Sequence, residues 1–98
     1  MKLLDLFKAV REENLTKDQL ERYRDEMADL YSQMHLELGE VKKKKAIFTL
    51  AYPEETNALT LRKWSGTIEG QREIELKSYI RATAPILSSL KSRLYNVY

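Results

Sequence analysis

Cysteine is absent from the sequence, which excludes a disulfide framework and any thiolate metal site and makes a reducing cytoplasm the expected compartment. Glycine occurs three times and proline twice in 98 residues, both below ordinary usage. So few chain breakers argue against a turn-rich β fold and for a small number of long helices. Histidine is present once, as His35, and no acid lies three or four residues from it, so it reads as a solvated or interfacial side chain and not as a base or ligand. Long apolar runs are missing as well. No stretch approaches the roughly 20 apolar residues that cross a bilayer, so no membrane contact is expected. The opening "MKLLDLFKAVREE" is too charged for the apolar region of a signal peptide. Phosphate-binding loops, Ser/His/Asp spacings and zinc patterns do not occur. Glu12 with Glu13, and Glu69, Glu73 and Glu75, read as polar helix faces. No catalytic residue, metal or cofactor is expected, and the chain does not read as an enzyme.

What is present is helical periodicity. Leu3, Leu6, Phe7 and Val10 predict a short amphipathic helix over roughly residues 2–13. A helix that short is marginal alone and has to dock on something. "TKDQ" opens a second helix, over 17–51, with Thr16 and Gln19 spaced as a capping box. Along it Leu20, Tyr23, Met27, Leu30, Met34, Leu38 and Val41 advance by threes and fours, and the face continues to Phe48. Pro53 disfavours α geometry at Tyr52 and ends the run. A third segment, 55–97, carries Leu76, Ile80, Thr83, Leu87, Leu90, Leu94 and Val97 in a heptad seam. Gly66 and Gly70 within "SGTIEG" permit a pause or a close backbone approach, with Thr67 as a cap; the segment is read here as continuous. Pro85 removes one amide but leaves the seam in phase, so the helix is expected to bend and carry on.

The expected fold is therefore all-α: a single domain formed by a long antiparallel helical hairpin turning within residues 52–57, with the short first helix packed at the open end. A turn near residue 53 places Asp29 near Lys77 and Asp25 near Arg81. Residues 1–40 hold ten acidic and six basic side chains and residues 41–98 five and eleven, which agrees with charge pairing across the hairpin. Such exposed pairs contribute at most about 1 kcal/mol each and choose a register without holding it together.

The same register sets Lys42, Lys43, Lys44 and Lys45 opposite Arg62, Lys63 and Trp64, a basic cluster near the hairpin tip. Four adjacent lysines point all round a helix, so one of them, Lys45 between Val41 and Phe48, has to snorkel from the apolar face. With only two helices at the tip, Ile47, Phe48, Leu50, Tyr52, Leu59, Leu61, Trp64 and Ile68 exceed what the chain can bury on its own. That surplus points to an interface, either with another copy of the chain or with a target. The lysines have a solvated-face reading and a phosphate- or acidic-surface-binding reading, and Trp64 is read as core or interface ahead of a base-stacking platform.

"KWSGTIEGQREIELKSYIRATAPILSSLKSRL" resembles a loose family of short helical-hairpin, coiled-coil proteins of bacteriophages, often encoded among early recombination and replication genes. Trp64, Gly70, Gln71, Leu76, Lys77, Leu90, Lys91 and Leu94 carry the resemblance over roughly residues 20–95, and Pro85 departs from it. The resemblance implies no catalytic residue. It implies a setting in the host-cell cytoplasm beside nucleic-acid-handling or host-defence machinery. Two expectations follow: a non-enzymatic adaptor or inhibitor that binds a host or phage protein, or nucleic acid, through the tip; or a self-associating scaffold, a homo-oligomeric bundle without nucleic-acid contact.

Overall fold

In the computed structural model, which describes residues 2–12 and 14–97 and, for Val97, the backbone alone, the chain is all-α, with α1 Leu3–Ala9, α2 Lys17–Leu50, α3 Asn57–Ser65 and α4 Ile68–Val97. No described residue lies in a strand. The chain divides into two compact units. A terminal unit comprises Met1–Gln33 and Ile80–Tyr98, and a central unit comprises Met34–Tyr79.

In the terminal unit α1 covers the first half of α2 and the second half of α4. Leu6 and Val10 pack with Leu20, Tyr23, Met27, Leu87, Leu90 and Leu94 into one apolar core, so both seams face inward as their spacing predicts. The seam position at Val97 has no described side chain, and Glu13 likewise lies outside the described residues. The α2 start is the expected capping box: the Gln19 amide donates to Thr16 Oγ1 at 3.2 Å, and the Thr16 amide donates to Gln19 Oε1 at 2.9 Å. α1 ends at Ala9, four residues short of the sequence expectation. Its carbonyls at Leu6, Lys8 and Ala9 accept the amides of Val10, Arg11 and Glu12, and past the helix end Arg93 donates to the carbonyls of Val10 at 3.0 Å and Glu12 at 3.1 Å. Another helical turn is therefore not needed to satisfy them. α4 runs unbroken through Pro85.

In the central unit α2 ends at Leu50. Two tighter bonds, Ala51 amide to Phe48 carbonyl and Tyr52 amide to Thr49 carbonyl, close the helix ahead of Pro53. After the turn the chain departs from expectation, because the third segment is two helices. Thr56 caps α3 by accepting the Leu59 amide at 3.3 Å, and α3 stops at Ser65. Thr67 then caps α4, accepting the Gly70 amide at 3.0 Å while its hydroxyl donates to the Trp64 carbonyl at 2.6 Å. Gly70 makes the break possible. A Cβ there would lie 1.9 Å from the Trp64 carbonyl oxygen, closer than any side chain allows, so only glycine lets the two helix ends meet.

This break corrects the register and the two-helix tip. Within the central unit Glu37 meets Arg72 and Lys45 meets Glu73, where a plain turn at residue 53 places residues 69 and 61. α3 occupies the span that a continuous hairpin gives to the start of its returning helix. Asp25 pairs with its neighbour Arg24, Asp29 accepts from Gln33 one turn on, and Lys77 lies 3.6 Å from Glu73 on its own helix. The expected pairs Asp29–Lys77 and Asp25–Arg81 give way to these local partners, in keeping with the small energy of exposed pairs.

Candidate protein-binding surface

The central unit is organised around one buried carboxylate. Glu73 is 5% exposed and accepts the Trp64 indole N–H at 3.1 Å and the Lys45 ammonium at 3.1 and 3.4 Å. It thereby ties the end of α2, the end of α3 and the start of α4 to one point. Burial pushes the Glu73 carboxyl up, but the bonds from Trp64 and Lys45 and the charges of Lys45 and Lys77 outweigh it, leaving the pKa below the usual glutamate value. Glu73 reads as polar face by composition, yet it falls three residues before Leu76 on the seam. Lys45 holds the matching seam position of α2, between Val41 and Phe48. The two interruptions of the apolar stripes are opposite charges that meet.

A second pairing flanks this node. Arg72 forks onto both oxygens of Glu37, with NH2 to Oε1 at 2.9 Å, and reaches Glu75 as well. The Arg72 bonds hold the Glu37 carboxyl below its usual range, against a smaller upward push from burial.

The predicted basic cluster divides in two. Lys45 stands on the apolar face as expected, but its ammonium turns to the buried Glu73 carboxylate and does not snorkel out to water. Lys43 lies 3.6 Å from Glu40, while Lys63 pairs with Glu55 and sits 4.4 Å from the centre of the Tyr52 ring. Lys42, Lys44 and Arg62 are exposed and meet no carboxylate among the described residues. The apolar set divides likewise. Trp64 is only 3% exposed, and its ring meets the half-buried Phe48 edge-on with centroids 5.4 Å apart. Phe48 also packs on Tyr52 at 5.2 Å. Of the two readings of Trp64, core is therefore the correct one, and α3 supplies the cover that a two-helix tip lacks. Leu59, Leu61 and Ile68 remain exposed, at 41, 45 and 87%.

Ile47 and Leu50, members of the expected apolar surplus at the tip, are 70 and 78% exposed. Lys44 and Ile47, one turn apart on α2, line a groove of about 310 Å³ with Phe48, Trp64, Thr67 and Glu69. The groove carries one cation and one carboxylate at its margin over an aromatic floor. His35 is exposed on α2. Among the described residues no group of three or more acidic or histidine side chains could hold a metal ion, and no helix is long and apolar enough to cross a membrane. Compared with protein families, with characterised proteins and with solved structures, the chain matches none.

Proposed function

We propose that the chain is a non-enzymatic interaction protein, an adaptor or inhibitor, whose central unit binds a partner protein bearing an acidic and partly apolar face. The observation that carries this reading is a combination on one unit. Exposed aliphatic side chains at Ile47, Leu50, Leu59, Leu61 and Ile68 occur with three cations, Lys42, Lys44 and Arg62, that meet no carboxylate among the described residues. Lys44 is one helical turn from Ile47, and Arg62 one turn from Leu59. Aliphatic side chains exposed in number are a mark of interfaces, and unpaired cations add steering and choice of partner.

The same geometry argues against nucleic acid as the partner. Three of the six cations of the basic cluster are engaged by Glu40, Glu73 and Glu55. The aromatic rings that stack on bases in single-strand binders are used internally, with Trp64 against Phe48 and Tyr52 under Lys63. The resemblance to phage helical hairpins supports a setting in a host cytoplasm beside nucleic-acid-handling or host-defence machinery, and the lack of cysteine is consistent with it. Self-association through the same aliphatic side chains, giving a homo-oligomeric scaffold, is the second reading.

Fluorescence anisotropy separates these readings with two labelled probes, an amphipathic helical peptide with a leucine stripe flanked by glutamates and a mixed-sequence single-stranded DNA. The peptide should bind saturably and more weakly as salt rises, and Lys42→Gln with Lys44→Gln should weaken it, chiefly through slower association. The DNA should not bind. DNA binding with a log–log salt slope near −0.7 per phosphate contact, without peptide binding, would replace this reading with the nucleic-acid one. Silence from both probes, with light scattering at twice the chain mass or more, would favour the scaffold.

A further inference from the structure

A second concave surface lies in the terminal unit, on residues that play no part in the proposed partner surface. Phe7 of α1, Val10 at its C-cap, and Ile86 and Leu90 of α4 line a groove of about 380 Å³, within the size range of small-molecule sites. Pro85, Ser89 and Arg93, spaced four apart along α4, and Arg11 complete the lining. Both guanidiniums are uncompensated: among the described residues neither meets a carboxylate. Arg93 spends two of its N–H groups on the carbonyls of Val10 and Glu12, which fixes its plane and leaves three of the five donors of a guanidinium. The Arg11 side chain is exposed and belongs to the groove lining. An apolar trough bordered by two positive charges matches an apolar body ending in one anion.

We infer that this groove binds an aliphatic monocarboxylate of the fatty-acid class, its chain along Phe7, Ile86 and Leu90 and its carboxylate between Arg11 and Arg93. A peptide fits less well. It would bring amide groups that need partners when buried, and the Ser89 hydroxyl is the one uncharged polar side chain in the lining. A hydrocarbon chain makes no such demand, and the planar guanidiniums suit a carboxylate bidentately. The inference does not depend on the partner surface of the central unit.

The test is an NMR titration of the isotope-labelled full chain with decanoate, held below its micelle-forming concentration, and in parallel with decan-1-ol and acetate. Decanoate should give saturable shifts centred on Phe7, Ile86 and Leu90. Decan-1-ol should bind about tenfold more weakly, as expected for loss of a charge-assisted bond, and acetate should leave the spectrum unchanged. Arg11→Gln should weaken decanoate about tenfold and leave decan-1-ol binding as it was, with the melting temperature unmoved. Ser89→Phe should fill the groove and abolish binding of both. Equal affinity for decanoate and decan-1-ol, indifference to Arg11→Gln, shifts centred on Ile47 and Leu50, tighter binding of a short leucine-ended peptide, or no shifts at all would each overturn the inference.

Discussion

At the scale of single residues, Glu73 and Gly70 hold the central unit in its observed form. The folded Glu73 pKa lies below its ordinary value, so its stabilising effect is fully present above the unfolded pKa of about 4.3 and is lost as pH falls through the lower folded value. Glu73→Gln should cost about 2 kcal/mol at neutral pH, because Lys45 keeps its charge and loses its carboxylate. Urea unfolding at pH 7 and at pH 3 checks this, and the gap between wild type and variant should narrow at the acid end. Gly70 tests the chain break from the other side. By helix propensity alone, alanine at residue 70 should stabilise a helix by about 1 kcal/mol. With the Trp64 carbonyl in the way, Gly70→Ala should instead destabilise by about 2–3 kcal/mol. Gly66→Ala is the control: its Cβ would meet the Lys63 carbonyl oxygen at 3.4 Å, an ordinary contact, and stability should change by about 0.5 kcal/mol or less.

At the scale of elements, the caps account for where helices begin. Thr67→Ala should cost about 1–2 kcal/mol, the usual loss for an N-cap threonine, since its hydroxyl serves both the Gly70 amide and the Trp64 carbonyl. Circular dichroism with thermal unfolding measures it. Much of this was legible in the sequence. The capping box at Thr16, both seams and the turn at Pro53 each rest on local spacing, and local spacing is what a sequence displays. The break at Gly66–Thr67 was visible as a glycine pair beside a threonine. Choosing it over a continuous helix required the fit of Gly70 against the Trp64 carbonyl, which is a contact and not a pattern. The end of α1 differs for a like reason, since the group that takes the carbonyls just past it is Arg93, more than 80 residues away. The Lys45–Glu73 pair was half legible: each residue interrupts its own seam, but nothing in either helix alone says that the interruptions meet.

At the scale of the whole molecule, the surface matters more than the core. Trp64 was grouped with the exposed apolar residues, and its burial changes what its substitution can report. Trp64→Glu should unfold the central unit, whereas Leu59→Glu or Ile68→Glu should leave the melting temperature within a few degrees and weaken partner binding. Paired melting and binding measurements separate the two effects. The candidate site was legible as a region, residues 42–68, and not as a set of contacts, because a run of four lysines does not reveal which of them the chain itself neutralises. The central claim is that the central unit meets its partner with Lys42, Lys44 and Arg62 beside Ile47, Leu50 and Leu61. The most direct measurement is the NMR footprint of the glutamate–leucine helical peptide on the isotope-labelled chain. The account predicts shift changes concentrated at Lys44, Ile47, Leu50 and Leu61, with the indole N–H of Trp64 still bonded to Glu73. Changes confined to residues 3–11 and 80–95, or an indole signal released on binding, would contradict it.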